Sequence, residues 1–492
     1  MGYNFRPVER DQQYLMPVSI RDWLPEDDPA WVVLDAVDQI DLAPIYARYR
    51  SDGWGAAAFE PAMMTALLLY AYATGERSSR RIEAACRRDI AYRVITANQV
   101  PDHATIARFR ADHAAALEQL FSEILRLCAA AGLVRVGVVA LDGTKLAAAT
   151  SLDANRTAEG LASEIGAMLA EAEATDAAED AAAASEAQPV PPLLARRAER
   201  LARFREARER LVAEEDARRS AHEALVADRA AIAAETGRRA PGREPGPFHP
   251  RPGRRANPTD PESRPMRGPR GWLQGYNAQA LVAEDGVVIA AAVSQDRNDS
   301  RQLEPLLRAA SSNLAAAGVA TGIGTLLADA GYWSEANAAI ERADGPRLLI
   351  APSAGHPRAP GSRRPLGPGR ARMRERLRDP VQRALYRRRA AMVEPVFGQT
   401  KEIRRVRRFA RRGLAASTAE WSLVCTTHNL LKLWRHGRPQ QPEGTSSQLA
   451  PPRAPHRDHY RYTPTANLGQ PASVRQALPA MLDGLGARST RS

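Results

Sequence analysis

Lysine is almost missing from this sequence: of 69 basic residues only Lys145, Lys401 and Lys432 are lysine, and the other 66 are arginine. Such a skew usually reflects genome composition, but a lysine that survives it marks a position suited to a compact ammonium rather than a planar fork. Cysteine is equally scarce. Cys86, Cys128 and Cys425 stand far apart with no CxxC spacing, which excludes a disulfide framework and a structural zinc fold. Aromatics make up 5% of the chain, and no run approaches the roughly 18–20 apolar residues of a membrane span. The first twenty residues carry acids and lack the apolar segment of a secretory signal, so the expected compartment is the cytoplasm.

What the chain does have is length and positive charge. Its 492 residues exceed one ordinary domain, and a net charge of +12 makes a polyanion the first partner to consider. The charge is concentrated. Between residues 363 and 412 there are 17 Arg and one Lys against four acids, a net +14 that leaves the rest of the protein slightly acidic.

Residues 1 to about 55 hold short apolar runs without a long period and read as a lead-in. The run EPAMMTALLLYAYAT at 60–74, then SSRRIEAACRRD with Ser78 or Ser79 as N-cap, then a long helix opened by Asp102, predict an all-α N-terminal domain over 1–132. At 134 the period becomes that of a strand, RVGVVALDGTKL. Residues 157–237 are rich in Ala, Glu and Arg, with a proline break at 189–192 and a weak apolar seam. They predict a solvated helical hairpin or partial coiled coil. The Pro-, Gly- and Arg-rich stretch 237–271 reads as a poorly ordered linker.

Strand character returns in YNAQALVAEDGVVIAAAVS, where Asp285-Gly286 signals a hairpin. A helix at 301–317, strand IGTLLA, a helix near 334–343 and strand RLLIAPS follow. Beyond a loop at 354–371, the chain reads as helical from 372 to about 436, with a disordered tail at 437–492. Strands alternating with helices imply an α/β mixed sheet, with 133–156 and 272–436 forming one domain around the insertion at 157–271.

Asp142 and Asp329 each close a short apolar run, and Glu394 lies in the basic helical region. Ligands gather at strand ends in α/β sheets, and carboxylates that hold divalent cations support phosphodiester displacement. Taken singly, an Asp before Gly is a common turn former and Glu394 before Pro395 a common helix-start acid. Together, in this order on these elements, the three favour a phosphoryl-transfer site. Lys401, seven residues after Glu394, falls on nearly the same helical face, and Lys145 follows Asp142 by three; both are placed to contact a phosphate.

In the N-terminal region, Arg77, Arg80, Arg81, Arg87, Arg88, Arg108 and Arg110 suit either a groove-entering helix or an ordinary charged face. His103, His113 and His428 read as packing or helix-face residues. Trp272, Trp333 and Trp421 suit base stacking, with burial the commoner fate.

Several motifs occur in one order: LDGTK at 141–145, LQGYNAQ at 273–279, LADAGYW at 327–333, Tyr386-x2-Arg389-x4-Glu394-Pro-Val-Phe-Gly-x2-Lys401, then RRF and EWSLVCTTHNLLKL. This set resembles the DDE transposases of bacterial insertion sequences, the insertion-sequence-four and -five-like group, over roughly 1–436. The resemblance implies an RNase H-like mixed sheet carrying a large helical insertion, preceded by an all-α domain that helps recognise element ends. It implies Mg2+, with Mn2+ as substitute, held by Asp142, Asp329 and Glu394 as catalytic ligands. It places Tyr386, Arg389 and Lys401 in the family's Tyr-Arg-Glu-Lys signature, here with one extra residue between Arg389 and Glu394. Those residues, with Lys145, Arg404 and Arg405, are the expected DNA contacts. The partners implied are double-stranded DNA, as terminal inverted repeats and target, and a second copy of the chain in a homodimer, without a membrane. The competing readings are a decayed transposase that binds DNA as an architectural protein, and a simple RNase H-like nuclease.

Overall fold

The computed structural model describes residues 19–49, 57–182, 192–269, 271–341, 345–352 and 367–437, and side chains except at 175–182 and 192–196. The tail beyond 437, the proline break up to 191 and most of the 354–371 loop therefore lie outside the described residues. The chain divides into two compact units, 1–135 with 314–320 and 426–492, and 136–313 with 321–425.

The first unit is built on helices. A short 3-10 turn at Ile20–Trp23 leads into α1 (Pro29–Val37), α2 (Ala43–Tyr46), α3 (Pro61–Ala73), α4 (Ser79–Arg88), α5 (Ile90–Ile95), α6 (His103–Asp112) and α7 (Ala114–Ala130). In α3 every residue from Met64 to Ala73 is buried, so this helix is apolar all round and forms the centre of the unit. Burying each leucine of Leu67–Leu69 contributes about 1.5–3 kcal/mol.

Two expectations change here. The region taken as a lead-in contains α1, whose Asp28 caps its start by accepting from the Ala30 N–H and whose Ala30, Trp31, Val32, Val33, Ala36 and Val37 are buried core. The long third helix breaks at His113, which is 5% exposed and stacks on Tyr49 with its ring centroid 5.6 Å away. Asp102 caps α6 as expected, accepting from the Ala104 and Thr105 N–H groups.

The second unit carries the sheet. Its strands are β1 (Val138–Ala147), β4 (Arg264–Gly268), β5 (Gly271–Ala283), β6 (Val288–Ser294), β7 (Thr325–Ala328) and β8 (Arg347–Ile350). The order is β4-β5-β1-β7-β8, with β6 also on β5. β5 runs antiparallel to β1 and β6, while β1, β7 and β8 are mutually parallel. This is the mixed α/β sheet of an RNase H-like domain. Val139, Ala140 and Leu141 of the middle strand are fully buried, as are Leu326–Ala328 and Leu348–Ile350, which explains their uninterrupted apolar runs. The hairpin between β5 and β6 turns at Gly286, whose φ of +75° suits glycine.

Helices α10 (Leu303–Ala316) and α11 (Glu335–Ala339) connect the parallel strands, and α12 (Pro368–Arg378) and α13 (Pro380–Gly398) follow them. The expected continuous helix from 372 to 436 is interrupted. A π-helical turn at Gln399–Ile403 ends α13, and residues 404–413 are non-helical until α14 (Leu414–His436). In that gap the Phe409 N–H donates to the Ala147 carbonyl at 2.8 Å and the Ala147 N–H to the Arg407 carbonyl at 3.2 Å. Val406 and Phe409 are buried, the Phe409 ring lying 5.9 Å from that of Tyr276.

Helices α8 (Ala158–Ala182) and α9 (Pro192–Thr236) make the expected hairpin. Its described core is small: Leu161, Phe204, Ala207, Leu211 and Ala256, with Ala158, Ile165 and Met168 beside it. The paired strands β2 (Arg156–Thr157) and β3 (Arg255–Ala256) lie at its base. The linker reading of 237–271 is corrected in its second half, where β4 adds to the sheet and Asn257, Asp260 and Ser263 are buried. Tyr276 donates to Asp260 Oδ1 at 2.6 Å, Gln274 to Ser263 Oγ at 2.8 Å and Asn257 to the Ser151 carbonyl at 2.8 Å. Polar residues that read as solvated loop are thus internal partners.

Candidate active site

Strand β1 brings the first carboxylate into the middle of the sheet. Successive side chains on a strand point to opposite faces, so Asp142 and Thr144 share one face while Gly143 and Lys145 share the other. On the first face, Arg389 of α13 donates to Asp142 Oδ2 at 2.9 Å, and the Lys401 ammonium from the π-helical turn reaches Thr144 Oγ1. Tyr386 sits one turn before Arg389 and beside it, its hydroxyl pushed above the usual range by burial.

Asp329 follows β7, which lies parallel to β1 with Leu141 paired to Ala328, so Asp142 and Asp329 occupy the next, adjacent positions on neighbouring strands. Asp329 caps a 3-10 turn, Ala330–Tyr332, by accepting from the Gly331 N–H at 2.8 Å. Burial raises the Asp142 carboxyl above its ordinary value, and the charge of Asp329 adds to the rise, while the Gly143 N–H and Arg389 oppose it. Two carboxylates therefore face one guanidinium. The oxygen-only donor set and its excess of negative charge fit a hard divalent cation.

Glu394 also lies on α13, but it is exposed and no described residue pairs with it. Among the described residues no group of three or more His, Cys, Asp or Glu side chains is arranged to hold a metal. The structure thus brings Asp142, Asp329, Arg389 and Tyr386 together, sets Lys401 two residues along the same face, and leaves Glu394 outside that cluster.

Three further expectations meet the structure differently. Lys145, three residues after Asp142, projects from the opposite face and pairs with Asp299 Oδ1 at 3.1 Å. Arg404 is only 3% exposed, donating to the Val424 carbonyl at 2.9 Å and to Thr400 Oγ1 at 2.8 Å, so it braces α14 from inside rather than facing a ligand. Its neighbour Arg405 is exposed, at an unusual φ of +56°. In the first unit, Arg80, Arg81, Arg87, Arg88 and Arg108 are exposed, whereas Arg110 turns inward to the Arg77 carbonyl at 2.8 Å, Tyr72 Oη at 3.2 Å and Ser79 Oγ at 3.2 Å. Of the tryptophans, Trp421 is buried with Nε1 donating to the Gln279 carbonyl, Trp333 is half-buried beneath Arg370, and Trp272 is 61% exposed.

Residues that the sequence reading did not assign surround Lys145. Asp299 Oδ1 also accepts from Asn277 Nδ2 at 2.6 Å and Gln279 Nε2 at 2.8 Å, and Tyr332 donates to Gln279 Oε1. Asn277, Gln279 and Tyr332 stand inside quoted motifs, LQGYNAQ and LADAGYW, and that was their only signal. Asp299, in a polar loop after β6, had none.

Two protein-family models match parts of the chain. A transposase domain (DUF772) matches residues 18–112, and a transposase DDE domain matches residues 362–434, the segment that carries Tyr386, Arg389, Glu394 and Lys401. Both matched families are transposase families, and together they support a DDE transposase of the insertion-sequence type. No curated protein and no solved structure matches it. DDE transposases as a class work with divalent metal ions. Among the described residues no helix is long and apolar enough to cross a membrane.

Proposed function

We propose that this protein binds the inverted-repeat ends of its insertion sequence, cuts DNA there and joins the freed ends to target DNA. The observation that carries the reading is the Asp142–Asp329 pair on adjacent parallel strands, faced from α13 and the turn after it by Arg389 and Lys401. When bound, a divalent cation such as Mg2+, with Mn2+ as substitute, would supply the charge that activates an attacking oxygen and stabilises a leaving one. Asp142 and Asp329 would hold it, with Glu394 supplied from α13.

The chain's own residues divide the remaining work. Arg389 pairs directly with Asp142 and opposes the burial-driven rise of its carboxyl. Tyr386 and Lys401 offer a hydroxyl and an ammonium to the scissile phosphate region. Burial lowers the Lys401 ammonium's pKa, with the Arg407 charge adding to this, so an arriving phosphate would strengthen its hold on the proton. Arg405 and the other exposed arginines of 363–412 would contact the DNA backbone. Residues 1–132 would serve as an end-recognition domain, 133–156 with 272–436 as the catalytic domain and 157–271 as its insertion, two copies acting as a homodimer in the cytoplasm.

The test is magnesium- or manganese-dependent cleavage of a DNA fragment spanning the boundaries of this gene, wild type beside Asp142→Asn. Cleavage at a defined repeat that vanishes in the variant, with DNA binding kept, is the expected result. One observation favours a second reading, a protein that binds DNA without cutting it: Glu394 is exposed, and among the described residues it forms no three-carboxylate group with the aspartate pair. Binding with no cleavage by the wild type at either metal would select that reading.

A further inference from the structure

Behind the aspartate pair lies a polar network that the transposase reading does not use. Its centre is Asp299, in the loop between β6 and α10 and on the face of β1 opposite Asp142. A single oxygen, Oδ1, takes three donors: Lys145 from β1, and Asn277 and Gln279 from β5. Lys145 and Asn277 are cross-strand partners, as are Gly143 and Gln279, so one carboxylate spans two rungs of the β1–β5 ladder beside Asp142.

The same loop is tied to the turn that carries Asp329. Tyr332, fully buried in that turn, donates to Gln279 Oε1 while Gln279 Nε2 donates to Asp299. Asn337 Nδ2 donates both to the Ser300 carbonyl at 2.6 Å and to the Tyr332 carbonyl at 2.7 Å, linking the residue after Asp299 to the end of the turn. The packing is close at both glycines that adjoin this network. A β-carbon on Gly143 would meet Gln279 Nε2 at 2.2 Å and Asp299 Oδ1 at 3.0 Å, and one on Gly331 would meet Asp329 Oδ1 at 3.0 Å and Asp299 Oδ2 at 3.2 Å. Asp299 thus fills the space a side chain would need at the residue after Asp142 and at the one two after Asp329.

We propose that Asp299 is a positioning residue: through Lys145, Gln279 and Tyr332 it locks the strand carrying Asp142 to the turn carrying Asp329 and so sets the spacing of the two carboxylates. The inference rests on the DDE reading of that pair. Two like charges stay close only when their backbones are held, and a divalent cation tolerates little error in the separation of its ligands. Partners that orient metal ligands typically change metal affinity or activity by about 10–100-fold when removed.

The experiment is Mn2+ titration by calorimetry on the full-length protein, without DNA, for wild type, Asp299→Asn and Tyr332→Phe. Cleavage of end DNA is then measured at saturating metal. Asp299→Asn should weaken Mn2+ binding about tenfold and lower the cleavage rate at saturating DNA while KM for DNA moves less than about twofold. Tyr332→Phe, which removes one hydroxyl and leaves the ring, should shift Mn2+ affinity in the same direction by less. Unchanged Mn2+ affinity in both folded variants overturns the proposal. If Asp299→Asn does not fold, Tyr332→Phe decides alone. Wild-type protein that binds Mn2+ but cuts nothing would sink the transposition chemistry and leave the role of Asp299 intact, whereas wild-type protein that binds no Mn2+ overturns both.

Discussion

The two faces of strand β1 share a backbone and differ in almost everything else. Toward α13, Asp142 and Thr144 meet Arg389 and Lys401, cationic groups on long side chains that a phosphate could take over. On the other side Gly143 and Lys145 meet Asp299, Gln279, Asn277 and Tyr332, a set bonded to one another in which Asn277 Oδ1 is left without a partner among the described residues. One face presents charged groups toward a ligand and the other is bonded mainly to itself. The difference teaches that four consecutive residues, Asp142 to Lys145, belong to two machines, one for chemistry and one for geometry.

The largest expected effect breaks the first face. Asp142→Asn should reduce cleavage to background, and it should also abolish the rise in melting temperature that Mn2+ gives the wild type, read by calorimetric scanning. Gly143→Ala, one residue away, attacks the other face. It should cost about 1–3 kcal/mol of stability, because a methyl there collides with the Gln279 amide, and lower cleavage without weakening DNA binding. Equal losses of DNA affinity in the two variants would erase the distinction between the faces.

Acidity sharpens the comparison further. The Asp142 carboxyl is raised, first by burial and then by the charge of Asp329. For an acid shifted in this direction the folded state holds the extra proton, so metal-free stability falls as pH climbs from the unfolded value of 3.8 through the raised one, and levels off above it. In a chelator, the melting temperature of wild type relative to Asp142→Asn should decline across that window. A difference that is flat, or that grows with pH, would show that Arg389 outweighs burial.

A last pair of variants separates two adjacent arginines, one with a stability effect and one with almost none. Arg404→Ala should destabilise the second unit by about 3 kcal/mol in a denaturant melt, since its buried charge-assisted bonds to Val424 and Thr400 are lost, and leave the salt dependence of DNA binding unchanged. Arg405→Ala should leave stability nearly unchanged and reduce the slope of log affinity against log salt by about one, if it neutralises one phosphate.

Much of this architecture was legible beforehand. Apolar runs such as VVAL in β1 and RLLI in β8 had to be buried strands, and Asp285-Gly286 had to turn a hairpin, because those residues carry their preference locally. Departures fell where distant partners decide. Residues 404–413 are basic enough to continue a solvated helix, yet Val406 and Phe409 are buried and the backbone at Arg407 and Phe409 bonds to Ala147 at the end of β1, which ends it. The stretch around Asn257 and Asp260 has linker composition, yet its polar groups bond inside the unit.

The candidate site followed the same division. Motif order along the chain was enough to single out Asp142, Asp329, Arg389 and Lys401, since each lies in a segment whose residue types are distinctive. Strand alternation, once RVGVVALDGTKL is read as a strand, already turns Lys145 away from Asp142, but nothing in the spacing named Asp299 as its partner. Nor could it show that Arg404 is buried while Arg405 is exposed. By itself the sequence determined the alternation of strands and helices, the all-helical first unit and the concentration of arginine after residue 363, all properties of composition and period. Only the tertiary structure decided which carboxylates neighbour each other and gave Asp299 its partners, because folding joins residues more than 150 positions apart, such as Lys145 and Asp299.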